Sequence, residues 1–341
     1  MPFAILAAVT IAFPSEGQNM PVLSRCYAIG ATDGGETGLV LRVSSLTTTN
    51  VPPREVSVPV YRTGAWGVLL DVEPGTNLVE VGTLKRRFVV AAPATNAVRT
   101  VRVAEASTNR TAWAPRPSAD AKTYPKLPYA ADTAKPHPSG RPPSEIVLVI
   151  DAGHGGRDTG AVSPHGWPEK DANLRLAKDV ARMLREKGFV VKMTRDDDSF
   201  PALYDRPKVA HEAGADAFVS LHHNAPGYES DPTQIRYQSV YAWNAIGEGL
   251  AGVIAARLAA ARPDLPSKGV LHANFAVTRN PEIPSCLVEA DFVTHPEGER
   301  AAWDEAECER AAAAIADGIA DWAAATKESL HQQSKTAKAE K

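Results

Sequence analysis

Cysteine is scarce: Cys26, Cys286 and Cys308 are the only three in 341 residues, and no two form a CxxC pair. That excludes a disulfide framework and a thiolate metal site, and it leaves Cys286 to be read as a buried core residue. No apolar run reaches the roughly 18 residues that a spanning helix needs, so no membrane span is expected. Charge of one sign is also lacking. Lys plus Arg number 37 against 40 for Asp plus Glu, a net charge of −3, which gives no global field to draw the chain to nucleic acid. Internal repeats are absent as well.

Proline, in contrast, is plentiful and unevenly spread. Eight of the 27 lie between Pro115 and Pro143, a composition that cannot continue helices or central strands and favours extended polyproline conformations. A linker over 113–145 therefore divides the chain. Upstream, over 21–112, a small all-β domain is expected, with strands at Glu55–Tyr61, Gly67–Val72, Leu78–Val81 and Phe88–Ala92. Thr63-Gly64 and Pro74-Gly75-Thr76-Asn77 break them. This region is faintly similar to immunoglobulin-like bacterial modules, and with no clustered His or Asp it reads as a spacer or adaptor. Before it, Phe3–Phe13 has the length of an export-signal core, though no Lys or Arg precedes it. Residues 1–20 are thus expected to be a signal segment, with an ordinary buried strand as the alternative.

Downstream of the linker, over 146–326, strands alternate with helices. Ile146–Ile150 is a continuous apolar run suited to a strand buried on both faces. From Asp171, apolar residues at Leu174, Ala177, Ala181 and Leu184 keep helical spacing up to Gly188. Phe189–Met193, Ala217–Leu221, Tyr237–Trp243 and Ser285–Ala290 read as further strands. Arg206–Ala213, the Leu250–Ala261 stripe and Glu305–Ala325 read as helices. The expected fold is α/β, a three-layer sandwich with a mostly parallel central sheet, preceded by the small all-β domain. Residues 327–341, polar and lysine-rich, read as a disordered tail.

Three of these strands run into polar residues: Asp151-Ala152-Gly153-His154-Gly155-Gly156, His222-His223-Asn224, and Glu289-Ala290-Asp291. Functional groups gather at the carboxyl edge of such sheets. The glycines around His154 suit a tight turn, and imidazole is the commonest metal-binding side chain. A histidine capping a turn is the plainer alternative. Glu169, just before a helix, is by itself an ordinary N-terminal acid. Taken together, two histidines and one glutamate would leave a fourth tetrahedral position open, as catalytic zinc sites do.

Six segments, in order, carry a resemblance. They are DAGHGG from Asp151, Glu169-Lys170-Asp171-Ala172-Asn173-Leu174, Thr194-Arg195-Asp196, Ser220-Leu221-His222-His223-Asn224-Ala225, Gly269-Val270-Leu271-His272-Ala273-Asn274-Phe275, and Pro284-Ser285-Cys286-Leu287-Val288-Glu289. The region resembles the zinc-dependent N-acetylmuramoyl-L-alanine amidases of the bacterial cell wall.

The resemblance implies one zinc ion held by His154, Glu169 and His222, with Glu289 as the catalytic carboxylate. It implies peptidoglycan as substrate, cut between N-acetylmuramic acid and the L-alanine of the stem peptide, and an exported protein of the periplasm or cell envelope. Some relatives insert a blocking helix between the third ligand and the glutamate. No such element is evident here, so no activator protein is expected.

Side chains alternate along a strand, so only one of His222 and His223 can be a ligand, and the motif selects His222. His223 is left as a substrate contact or a packed residue. Asn224 and Lys268 are further possible substrate contacts, and Asp291 is either a partner for a ligand histidine or a loop cap. His165 lies near Glu169 in a loop, where a solvated histidine is the ordinary reading. A catalytically inactive wall-binding protein of the same fold, and a zinc peptidase or deacetylase, remain the alternatives.

Overall fold

A computed structural model describes residues 9–33, 35–48, 50–93 and 137–325. Most of the expected linker and all of the expected tail lie outside these residues. The N-terminal region is built from β1 (Val9–Phe13), β2 (Gln18–Met20), β3 (Arg25–Thr32), β4 (Gly38–Ser45), β5 (Arg54–Pro59), β6 (Ala65–Asp71), β7 (Gly75–Val81) and β8 (Leu84–Val90). One sheet runs β1-β3-β6 and the other β2-β8-β7-β4-β5. Alternate residues turn inwards to a shared core that includes Ile11, Leu41, Trp66, Val79 and Phe88.

Of the expected signal segment, residues 1–20, only 9–20 lie among the described residues. Its described part is strand β1, hydrogen-bonded antiparallel to β3, with Ile11 only 3% exposed, and strand β2, which pairs with β8. Of the described part of that apolar stretch, Ile11 lies in the sandwich core with Val9 and Phe13 packed against it.

After the proline-rich stretch come β9 (Val147–Ala152), α1 (Glu169–Glu186), β10 (Val190–Met193), α2 (Arg206–Glu212), β11 (Ala217–Asn224), β12 (Gln238–Ala242), α3 (Ala245–Ala261), β13 (Ser267–His272), β14 (Ser285–Phe292), α4 (Pro296–Trp303) and α5 (Glu305–Ala324). The sheet order is β10-β9-β11-β14-β12-β13, and only β12 against β14 is antiparallel. One face packs on α1, α3 and α5 through Leu176, Val180, Ile254 and Ile315. The other is covered by α2 and the chain around Val277 and Ile283. This is the expected three-layer, mostly parallel α/β sandwich.

The helix α1 begins two residues before the expected Asp171, straight after Pro168, and Gly188, with φ +90°, ends it. Its early start puts Glu169 in the first helical turn. β13 and α4 complete the domain where no element had been expected.

The sandwich docks on the α/β domain at the carboxyl edge of its sheet. The Tyr27 amide donates to the Tyr228 carbonyl at 2.9 Å, Glu229 accepts from the Ser24 amide and hydroxyl, and the rings of Phe13 and Tyr228 stack at 5.8 Å. Tyr61 meets His295 edge-on at 6.2 Å. These partners lie in the loops that follow β11 and β14.

Candidate metal centre and active site

Strand β9 delivers its chain to the edge of the sheet and then turns sharply. His154 sits at φ +61°, the one non-glycine with positive φ among the described residues. Such a backbone costs free energy and persists where the surroundings over-determine it. Two buried arginines do so. Arg206 donates to the carbonyls of Ala152 (2.7 Å) and His154 (2.6 Å) and to Asp151 (2.8 Å). Arg195 donates to the carbonyls of Ala152 (2.9 Å) and Gly153 (2.7 Å). Asp151, wholly buried, also accepts from Thr194 and Ser220.

The turn brings the His154 Nε2 to 3.2 Å from Glu169 Oε1, and β11 brings His222 Nδ1 to 3.1 Å from the same oxygen. All three donor atoms lie within 4.8 Å of one another, and all three residues are buried. A tetrahedral ion with nitrogen and oxygen ligands needs donor separations of about 3.3 Å, which these pairs nearly meet. The cradle leaves no slack. A Cβ at Gly153 would enter the His222 ring, and one at Gly160 would lie 2.5 Å from Glu169 Oε2 and 2.7 Å from His154 Cδ2. The residues present therefore fit a metal ion.

Supporting contacts orient each donor. His154 Nδ1 lies 2.9 Å from Asp158, which turns Nε2 inward. Glu169 also accepts from the Ala161 amide and from Asn173 Nδ2, each at 2.9 Å. Burial disfavours charge on His154, yet the Glu169 carboxylate and Asp158 outweigh it and raise its basicity to about 10. Burial likewise opposes charge on Glu169, but the two histidines outweigh it and hold that carboxyl well below its usual range. The arrangement favours a positive charge between the donors.

Glu289 stands beside His222 in the parallel pairing of β11 with β14, and opposite Ser239 of β12. Its Oε2 is buried without a hydrogen-bond partner among the described residues. Burial, with the Glu169 charge added, pushes its carboxyl well above the usual range. Two neighbouring carboxyls are thus driven in opposite directions, the pattern that separates a permanent anion from a proton carrier.

A model of the family described as N-acetylmuramoyl-L-alanine amidase matches residues 148–321, half of the chain. The chain belongs to that family. It is 32% identical over 219 residues to the N-acetylmuramoyl-L-alanine amidase AmiA of Escherichia coli, covering 51% of this chain and 74% of AmiA. A probable cell wall amidase of Staphylococcus aureus, LytH, is 27% identical over 263 residues, 76% of this chain and 79% of LytH. Among solved structures, the amidase AmiC2 of Nostoc punctiforme matches at 33% identity with a TM-score of 0.50, covering 52% of this chain and 96% of that one. The amidase fold and peptidoglycan amidase activity follow, and the envelope is where such a substrate lies.

For this amidase the remaining expected residues fall in distinct places. His223 points to the α1 side, buried, with Nδ1 2.9 Å from Asn173 Oδ1. Asn224 is buried with its Nδ2 without a hydrogen-bond partner among the described residues. Lys268 is exposed on β13, its ammonium 5.5 Å from the Tyr237 ring.

Asp291 answers to neither expected role. It is clamped by Arg236 at two 2.9 Å contacts and by Arg262 at 2.5 Å, locking the chain beyond Glu289. His165 is paired as well: Glu299 accepts from its amide at 2.8 Å and lies 2.8 Å from its ring, which stays partly exposed.

Sequence reasoning assigned no role to Arg206, Asp158 or Asn173. Only Asn173 left a signal, since its i+4 spacing from Glu169 places both on one helix face.

Proposed function

We infer that this chain is a zinc-dependent hydrolase that cleaves the amide between the lactyl group of N-acetylmuramic acid and the L-alanine of the stem peptide in peptidoglycan. The observation that carries this is the Glu169 Oε1 within 3.1–3.2 Å of both a His154 and a His222 nitrogen, the three donors lying within 4.8 Å of one another, with Glu289, whose Oε2 has no hydrogen-bond partner among the described residues, in register beside His222. His154, Glu169 and His222 would hold one zinc ion per catalytic domain. Zinc supplies polarisation of the scissile carbonyl and acidification of water. Glu289 takes the proton from the attacking water and delivers it to the departing alanine nitrogen, so one carboxyl serves as base and then as acid. Burial of Glu289 raises its basicity towards that of the groups it serves. Asn224 Nδ2 and Lys268 are proposed as substrate contacts.

The domain reading that goes with this is a sandwich, a proline-rich connector over 113–145 and a catalytic domain over 146–326 in a protein exported to the periplasm or envelope. We read the site as working without an activator. The Ala225–Tyr237 loop, which follows the third ligand, is held against the sandwich and by Arg236 on Asp291. An inactive wall-binding protein would have no use for a buried Glu289 whose Oε2 has no hydrogen-bond partner among the described residues.

Incubation of the purified protein with intact peptidoglycan, with and without chelator, tests the reading. Free stem peptides with N-terminal L-alanine are expected, and chelator abolishes their release. Release of other fragments, such as peptides cut internally or free acetate, would contradict it.

A further inference from the structure

Beyond the metal ligands, the turn that follows His154 presents an unused cation. Gly155 and Asp158 exchange backbone hydrogen bonds at 2.9 and 3.0 Å, which puts Arg157 at the tip of the turn, exposed. Its guanidinium lies 4.8 Å from the centre of the Phe200 ring, and no carboxylate among the described residues pairs with it. Against the same turn lies the segment from Ser199 to Tyr204. A Cβ on Gly155 would strike the Ser199 carbonyl, and one on Gly156 would lie 3.0 Å from the Phe200 Cβ. These glycines let the two segments touch.

This segment leaves large apolar side chains in water. Phe200 is 37% exposed, Leu203 40% and Tyr204 65%. Large apolar side chains left exposed within five residues of one another are candidates for contact with a ligand. The segment is also fixed relative to the ligands, because Arg195 before it and Arg206 after it are buried and hold the carbonyls of residues 152–154. An exposed cation over the exposed Phe200 ring, in the turn that follows His154, matches a peptide with a carboxylate beside aliphatic groups.

Resting on the amidase reading above, we propose that Arg157, Phe200 and Tyr204 form the subsite for the stem peptide. Arg157 takes a carboxylate on the residue beyond the L-alanine, and the rings take the aliphatic parts. Three chain steps of 3.8 Å put the Arg157 Cα within about 11 Å of the His154 Cα, an upper bound that two extended peptide residues, about 7 Å, and the long Arg157 side chain together span.

The test compares two muropeptide substrates, one with a free carboxylate on the second stem residue and one with that carboxylate amidated, using the full chain. Arg157→Ala should lower kcat/KM about tenfold on the acid through KM and leave the amide within about twofold, since one lost charge-assisted contact is worth that much. Arg157→Lys should restore part of the loss, and zinc content should not change. Tyr204→Ala should weaken both substrates alike.

Equal effects of Arg157→Ala on acid and amide, or no effect, would overturn the subsite. Should wild type cleave neither substrate, the amidase reading fails by itself. Calorimetric binding of the free stem peptide to wild type and to Arg157→Ala then decides the subsite: tighter binding to wild type supports it, and equal binding overturns it.

Discussion

His154 carries two burdens, a positive φ and a place in the donor set, and it bears both because Arg206 and Arg195 saturate the carbonyls on either side of the turn. Orientation of a ligand by its surroundings is worth about 10–100-fold in metal affinity. Arg206→Lys keeps the charge that Asp151 needs but loses the planar fork. We expect it to fold and to bind zinc at least about tenfold more weakly, read by competition with a chromophoric chelator. Unchanged affinity would show that the turn holds its shape without the guanidinium. None of this was legible in the chain, since Arg206 and Asp151 stand 55 positions apart and no local pattern links them. His154, Glu169 and His222 were legible as a set only because each occurs in a motif whose order resembles a known family.

The elements divide on the same ground. Strand β9 and helix α1 announce themselves by an unbroken apolar run and a helical stripe, signals that burial on two faces and on one face must leave. Strand β13, with Gly269 at φ +61° and no fully buried residue, leaves no such signal, and α4 is one short amphipathic turn pair begun by Pro296. Strand β11 shows alternation at work at its end: His222 turns to the donor set and His223 to Asn173 on α1.

Burial, despite the nearby Glu169 charge, lowers His223 to about 4, against about 6.5 in an unfolded chain. Between those values the unfolded chain binds a proton that the folded one refuses. Stability is therefore full above about pH 6.5 and is lost as pH falls towards 4. Melting temperatures across that range should fall less steeply for His223→Gln than for wild type, and identical slopes would refute the burial argument.

At the scale of the whole molecule, the sandwich is tied to the loops that surround the donor set. His165, four residues before Glu169, is held by Glu299 and by the Thr63 carbonyl, while Tyr228 and Glu229 follow the third ligand closely and pair with Tyr27 and Ser24. A Cβ at Gly67 would lie 2.9 Å from the Thr233 Cγ2 and 3.2 Å from the Pro232 Cγ. Gly67→Val should therefore push the loop from its seat, speeding amide hydrogen exchange across residues 228–233. Unaltered exchange would mean that the loop is held from the catalytic side alone.

In the proposed division of labour three residues would hold the metal and Glu289 would move the proton, and the most direct measurement is zinc content alongside turnover in Glu289→Gln. We predict one zinc per chain in both proteins and a loss of stem-peptide release of about 10²–10⁴-fold in the variant. Wild-type turnover in Glu289→Gln, or a wild-type chain that binds no zinc, would contradict it.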